Sequence, residues 1–196
     1  MTDPLLPQGD EDTELTPEER EGLIPSYITF RRELNEAEQA NIVEAQSWAF
    51  SRKRDVLDEA LLTSLHKRMY GNVWKWAGEH RTSGKNIGDV DAYRIPTELR
   101  ELLDNCRYWI DKKTYEPDEI AARFHHRLVF IHCYPNGNGR HARLATDLLL
   151  MQMGDVPFSW GGANLVDAGE VRTRYIEALQ AADRHDIGPL LGFVRS

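Results

Sequence analysis

A chain of 196 residues, 41% hydrophobic and 29% charged, has the composition of a globular protein and length enough for one sizeable core, not comfortably for two. Its 32 acids outnumber 24 bases, and the formal charge of −8 argues against a general nucleic-acid-binding surface, so any phosphate must be held locally. No apolar run approaches the roughly eighteen residues of a membrane span, Met1-Thr2-Asp3-Pro4 lacks the layout of a signal peptide, and two cysteines, Cys106 and Cys133, fit a reducing compartment, so the expected location is the cytoplasm.

Residues 1–15 combine Pro4, Pro7 and Gly9 with Asp10, Glu11, Asp12 and Glu14 and no base, which reads as a flexible acidic lead-in to a single helical domain over 16–196. Thr16-Pro17-Glu18-Glu19 predicts a cap and a first turn, cut short by Gly22 and Pro25. Asn35 followed by Glu38 resembles a capping box for a helix through Ile42, Ala45, Trp48 and Ala49 to about Arg54. Asp58 caps the next one, through Leu61, Leu62, Leu65 and Met69 to Gly71. Trp48, Trp74 and Trp76 are expected as packing residues.

Between Gly78 and Pro96 the helical pattern lapses, and Thr82-Ser83-Gly84-Lys85-Asn86-Ile87-Gly88 between short flanks predicts a small β-hairpin flap. A helix over 97–112 carries Leu99, Leu102, Leu103, Cys106 and Ile110 inward. Past the central motif and the connector Val156–Gly162, Asp167 is a cap for a helix through Val171, Tyr175, Ala178 and Leu179, and Asp186 caps a last one through Leu190, Leu191 and Phe193. Asn164 and Tyr175 are candidates for adenine or ribose contacts, with a core or capping role equally open. The fold class is all-α with one small flap.

The chemistry sits in His132-Cys133-Tyr134-Pro135-Asn136-Gly137-Asn138-Gly139-Arg140-His141-Ala142-Arg143. Glu116-Pro117-Asp118-Glu119 starts a helix whose stripe Ile120, Phe124, Leu128 and Ile131 must stop at Pro135, delivering His132 to the rim of a loop. Gly137 and Gly139 suit an anion-binding nest, and Leu144, Leu148 and Leu149 begin a second helix whose N-terminus adds N–H groups and a positive dipole end. Arg140 and Arg143, three apart, are expected on one face, along a phosphate chain. A base beside a phosphate cradle suggests transfer of part of a nucleotide to a hydroxyl.

These residues resemble the Fic motif H-x-F-x-[D/E]-G-N-G-R-x-x-R at His132, Gly137, Asn138, Gly139, Arg140 and Arg143, with Tyr134 in the aromatic slot and Asn136 where the family has the metal-binding acid. The resemblance covers about Thr16 to the C-terminus and implies the helical Fic fold, with Lys85, Asn86 and Ile87 in a flap where a target backbone docks as an added strand. It implies a protein adenylyltransferase: His132 deprotonates a target Ser, Thr or Tyr hydroxyl, which attacks the α-phosphate of ATP. Gly137, Asn138 and Gly139 then cradle phosphates, Arg140 and Arg143 bind the terminal ones, and Asn136 sits at Mg²⁺ or Mn²⁺. Many relatives silence themselves with a glutamate that pairs with the second motif arginine; two segments resemble that element, Thr16 to Glu21-Gly22 with one residue too many between its ends and Thr29 to Glu33 with Leu34 after it, and Glu21 is the candidate taken here for Arg143. Leu23-Ile24-Pro25, Trp76-Ala77-Gly78 and Tyr175-Ile176-Glu177-Ala178-Leu179 look like the mobile mystery protein B subgroup, which implies mobile elements and a helix-turn-helix partner.

Other classes compete less well. A zinc hydrolase on His125, His126, His132 and His141 lacks an H-x-x-x-H with a supporting acid, and Cys133 is a poor nucleophile candidate because a sequence neighbour of the base points elsewhere on a helix. A catalytically weak, nucleotide-sensing or partner-binding module is the main alternative, since Asn136 brings no charge to a metal. A phosphate-transferring kinase like the Doc branch is disfavoured, because that branch lacks a glycine at the Gly139 position and the full arginine set.

Overall fold

Eight α-helices, among the described residues, carry the apolar stripes inward: α1 (Pro17–Gly22), α2 (Arg31–Phe50), α3 (Glu59–Tyr70), α4 (Ile95–Lys112), α5 (Pro117–Ile131), α6 (Asn138–Met153), α7 (Ala168–Asp183) and α8 (Gly188–Val194). The computed structural model describes residues 13–83, 90–162 and 168–196. Helix α5 is the axis of the molecule, packed against α4, α6 and α8, while α3 bridges α2, α4 and α6. Its stripe Ile120, Phe124, Leu128 and Ile131 is buried along its whole length, which is why fifteen residues suffice to hold a central helix. One core lies between α2, α3, α4, α5 and α6, and a second, around Tyr175, Leu190 and Phe193, joins α7 and α8 to α5 and α6. No described helix is long and apolar enough to cross a membrane.

The expected start of α2 is wrong. The helix begins four residues before Asn35, capped by the carboxylate of Glu33, whose Oε2 accepts the N–H groups of Thr29 (2.8 Å) and Phe30 (3.1 Å). Glu38 is left free for a buried task. Residues 13–15 are also not loose: Leu15 is buried, its N–H donates to Thr29 O, and Arg31 N–H donates to Thr13 O. Residues 1–12 lie outside the described residues.

The hairpin flap is corrected on its flanks. Among the described residues there is no strand, only the isolated bridges Glu14 to Phe30 and Leu23 to Trp74. The flank containing Tyr93, Arg94 and Ile95, expected in the second arm, is instead the 3-10 turn Ala92–Arg94 running into α4 at Ile95. Pro96 in the first helical turn explains this: its fixed φ suits the helix and it needs no N–H partner there. Lys85, Asn86 and Ile87 lie outside the described residues, as do Asn164 and Asp167.

Candidate active site

His132 is the residue on which α5 ends. It takes the left-handed conformation, φ 52° and ψ 61°, with its N–H still donating to Leu128 O at 3.4 Å. That conformation costs a residue with a Cβ about 1–2 kcal/mol, so neighbouring contacts must hold it. Pro135 forces the chain away, and α6 starts only six residues after His132, at Asn138.

The intervening loop is tied down from three sides. Tyr134 is buried, its ring stacked on His66 with 3.6 Å between centroids. His66 Nδ1 accepts the Gly78 N–H at 3.0 Å, so its proton sits on Nε2, which donates to Asn136 O at 3.1 Å. Burial pushes this imidazole down to about 2, so it stays a neutral, directional tether. Tyr70 hydroxyl donates to Gly137 O, and Gly137 holds φ 79° directly over the Tyr70 ring. His141, in the first turn of α6, donates its Nε2–H to Leu62 O, 2.9 Å away, fixing α6 to α3.

The Asn138 side chain has a task of its own beside the expected cradle. Its side chain is buried, with Oδ1 accepting Tyr134 N–H (2.9 Å) and Nδ2 donating to Tyr134 O (2.8 Å). The amide thus staples the loop, and only the backbone of Asn138 is offered to an anion. Asn138→Ala strands both Tyr134 backbone groups and is expected to destabilise the protein by about 1–3 kcal/mol, read as a lower urea midpoint with an unchanged slope.

The two arginines do not share one environment. Arg140 is mostly buried and pairs with Glu38 Oε2 at 2.7 Å, while Glu38 Oε1 accepts the Trp74 indole N–H at 2.6 Å. The Arg140 guanidinium lies 5.1 Å from the Tyr70 ring centroid, so it braces the start of α6 against α2 and α3. Arg143 is buried on the other side, 6.0 Å from the Tyr175 ring centroid and close enough to His125 to help push that imidazole down to about 3 after burial. Tyr175 is a core residue, its hydroxyl 2.8 Å from His125 Nε2.

Glu21 is exposed on α1, its backbone carbonyl accepting from Lys75, and does not make the expected pair with Arg143; among the described residues Glu38 is an acid that does reach a motif arginine, Arg140. The histidines of the zinc alternative disperse: His125 meets Tyr175, His126 meets Asp183 and His141 meets Leu62. Cys133 is buried and its thiol is pushed up to about 12 by burial, which removes it as a nucleophile. Asn136 is exposed at the loop apex, its Oδ1 accepting the Gly137 N–H at 2.7 Å.

The sequence does not reveal the roles of His66, Glu38 and Arg81. The first two had a legible signal, a polar residue inside an apolar helical stripe, which demands a buried partner. Arg81 had none.

The Fic/DOC family matches residues 56–150. The protein adenylyltransferase Fic of Aedes aegypti is 30% identical over 146 residues, which are 72% of this chain and 28% of that protein. Fic-1 from Caenorhabditis elegans, a solved structure, superposes with a TM-score of 0.63 at 25% identity, covering 83% of this chain and 48% of that one. BepC from Bartonella tribocorum, solved with AMPPNP bound, shares the fold with a TM-score of 0.66 at 19% identity, over 84% of this chain and 86% of that one. The chain spans between a quarter and a third of the length of the curated relatives it matches. With the α5–α6 corner inside the matched residues, this chain carries a domain of the Fic/DOC family.

Proposed function

We propose that the α5–α6 corner transfers AMP from ATP to a serine, threonine or tyrosine hydroxyl of a target protein. The observation that carries the reading is the placement of His132 at the end of α5, six residues from the N-terminus of the sixteen-residue helix α6, across a loop held by His66, Tyr70 and Asn138. His132 takes the hydroxyl proton, the oxygen attacks the α-phosphorus, and the bond to the β-phosphate oxygen breaks to release pyrophosphate. The first N–H groups of α6 lack helical acceptors and face the charge that develops there. The names of the curated relatives, protein adenylyltransferase, and the AMPPNP in BepC support this nucleotide and this reaction. Resemblance to the mobile mystery protein B subgroup adds to the proposal a helix-turn-helix partner and a mobile-element setting, and the composition and cysteine usage add a cytoplasmic location.

Among the described residues no group of three His, Cys, Asp or Glu could hold a metal ion. Asn136 offers one neutral oxygen already engaged by Gly137 N–H. These residues do not fit a protein-built Mg²⁺ or Mn²⁺ site, so no step is derived through the ion; a metal would come with the triphosphate, whose oxygens supply most of its ligands. Asn136→Asp places a charge at this apex, and the half-saturating Mg²⁺ concentration for transfer is expected to fall about tenfold, measured by metal titration of the initial rate.

Intact-mass spectrometry after incubation with ATP and Mn²⁺, with and without cell extract, tests the reading. A gain of one AMP that disappears in His132→Ala supports it; a gain of one phosphoryl group instead sinks it.

A further inference from the structure

Arg81 lies in the segment after α3 and is buried, yet every group its guanidinium meets at hydrogen-bond distance among the described residues is a backbone carbonyl. Nε donates to His132 O at 2.6 Å, Nη2 to Ile131 O at 3.3 Å and to Val90 O at 2.6 Å, and Nη1 to Ser83 O at 2.8 Å. Its own N–H donates to Cys133 O at 2.9 Å. The charge is thus accommodated at the carbonyl end of α5, the negative pole of that helix.

The pattern has a specific geometric consequence. The carbonyl of Ile131 lies in the peptide plane before the His132 Cα, and the carbonyl of His132 lies in the plane after it. Peptide units are rigid, so the orientations of those two planes set φ and ψ of His132, and with them the direction of its Cβ. One planar guanidinium grips both planes of a residue held at φ 52°, a conformation that side chains other than glycine disfavour. The same group holds the carbonyls of Ser83 and Val90, which flank the segment where target docking is expected.

We infer that Arg81 is a positioning residue for the transfer reaction: it holds the backbone of His132 in the left-handed state that aims the imidazole at the target hydroxyl. This rests on the proposed role of His132 as general base. Lysine cannot replace it, because an ammonium on one flexible stem does not hold two peptide planes and two further carbonyls in a fixed fork.

The test compares wild type, Arg81→Lys and Arg81→Ala for covalent transfer of label from ATP labelled at the α-phosphate, with a urea melt for each and His132→Ala as control. The expected result for Arg81→Lys is a kcat lower by about a hundredfold. Its KM for ATP should stay within about twofold, since the phosphate cradle belongs to α6. Free guanidinium at a non-denaturing concentration should restore part of the rate in Arg81→Ala and none in His132→Ala. A wild-type kcat in Arg81→Lys, or a loss carried by KM for ATP, overturns the inference. If Arg81→Ala does not fold, Arg81→Lys alone decides. Should the wild type transfer no label, the transfer reading fails by itself, and the NMR signal of the His132 ring, assigned by its absence in His132→Ala, still tests Arg81. A shift and changed titration midpoint of that signal in Arg81→Lys support the clamp, and an unmoved signal refutes it.

Discussion

Replacing His132 by alanine is expected to slow AMP transfer by about 10²–10⁴-fold while leaving ATP affinity nearly unchanged. The asymmetry follows from where the parts sit. His132 belongs to the end of α5, whereas the anion-facing N–H groups belong to α6, and the loop between them is fixed by contacts that do not involve the imidazole: His66 to Asn136, Tyr70 to Gly137 and Asn138 to Tyr134. Removing the ring deletes the proton acceptor and leaves the cradle standing. Initial rates with saturating ATP, set beside nucleotide affinity by calorimetry, separate the two; a variant that loses binding as much as rate would mean the ring holds nucleotide instead.

Gly137→Ala is expected to do the opposite, taking stability and nucleotide binding together. A Cβ at this position would lie 2.4 Å from Tyr70 Cζ, and φ is 79°. Overpacking against a buried ring and the left-handed conformation together cost about 2–5 kcal/mol, a fall in melting temperature on the order of 10 °C for a chain of this length. Gly139 supplies the contrast. A Cβ there meets nothing within 4 Å and the residue lies inside the first turn of α6, so Gly139→Ala should keep or slightly raise the melting temperature. Equal melting temperatures for the two variants would contradict the close contact of Gly137 with Tyr70.

The two glycines illustrate what was legible and what was not. In the sequence they look alike, two glycines flanking Asn138, and nothing local says that one rests on a tyrosine some seventy residues upstream. Helix α5 was readable because its signals are local: Pro117 with acids in the first turn, a stripe at spacings of three and four, and Pro135 beyond the end. Helix α2 was misread at its start because Asn35 and Glu38 mimic a cap. The deciding contact is Glu33 reaching back to Thr29 and Phe30, while Glu38 sits in the buried stripe between Leu34 and Ile42 and pairs with Arg140 far along the chain. An acid at a core position predicts a partner but not which one. Arg140 and Arg143, expected on one face, have neighbours that spacing alone does not give: helical spacing places their Cα atoms, whereas Glu38 and Tyr70 lie at one guanidinium and Tyr175 at the other. Arg81 was invisible because its partners are backbone carbonyls, which leave no mark in the sequence.

The most direct test of the central claim is a pair of incubations, with ATP labelled at the α-phosphate in one and at the γ-phosphate in the other, each with wild type and His132→Ala. Covalent label from the α position only, and only with His132 intact, is the expected result. Label from the γ position, or α-label that survives loss of His132, would contradict a general base at the end of α5 acting on the α-phosphate.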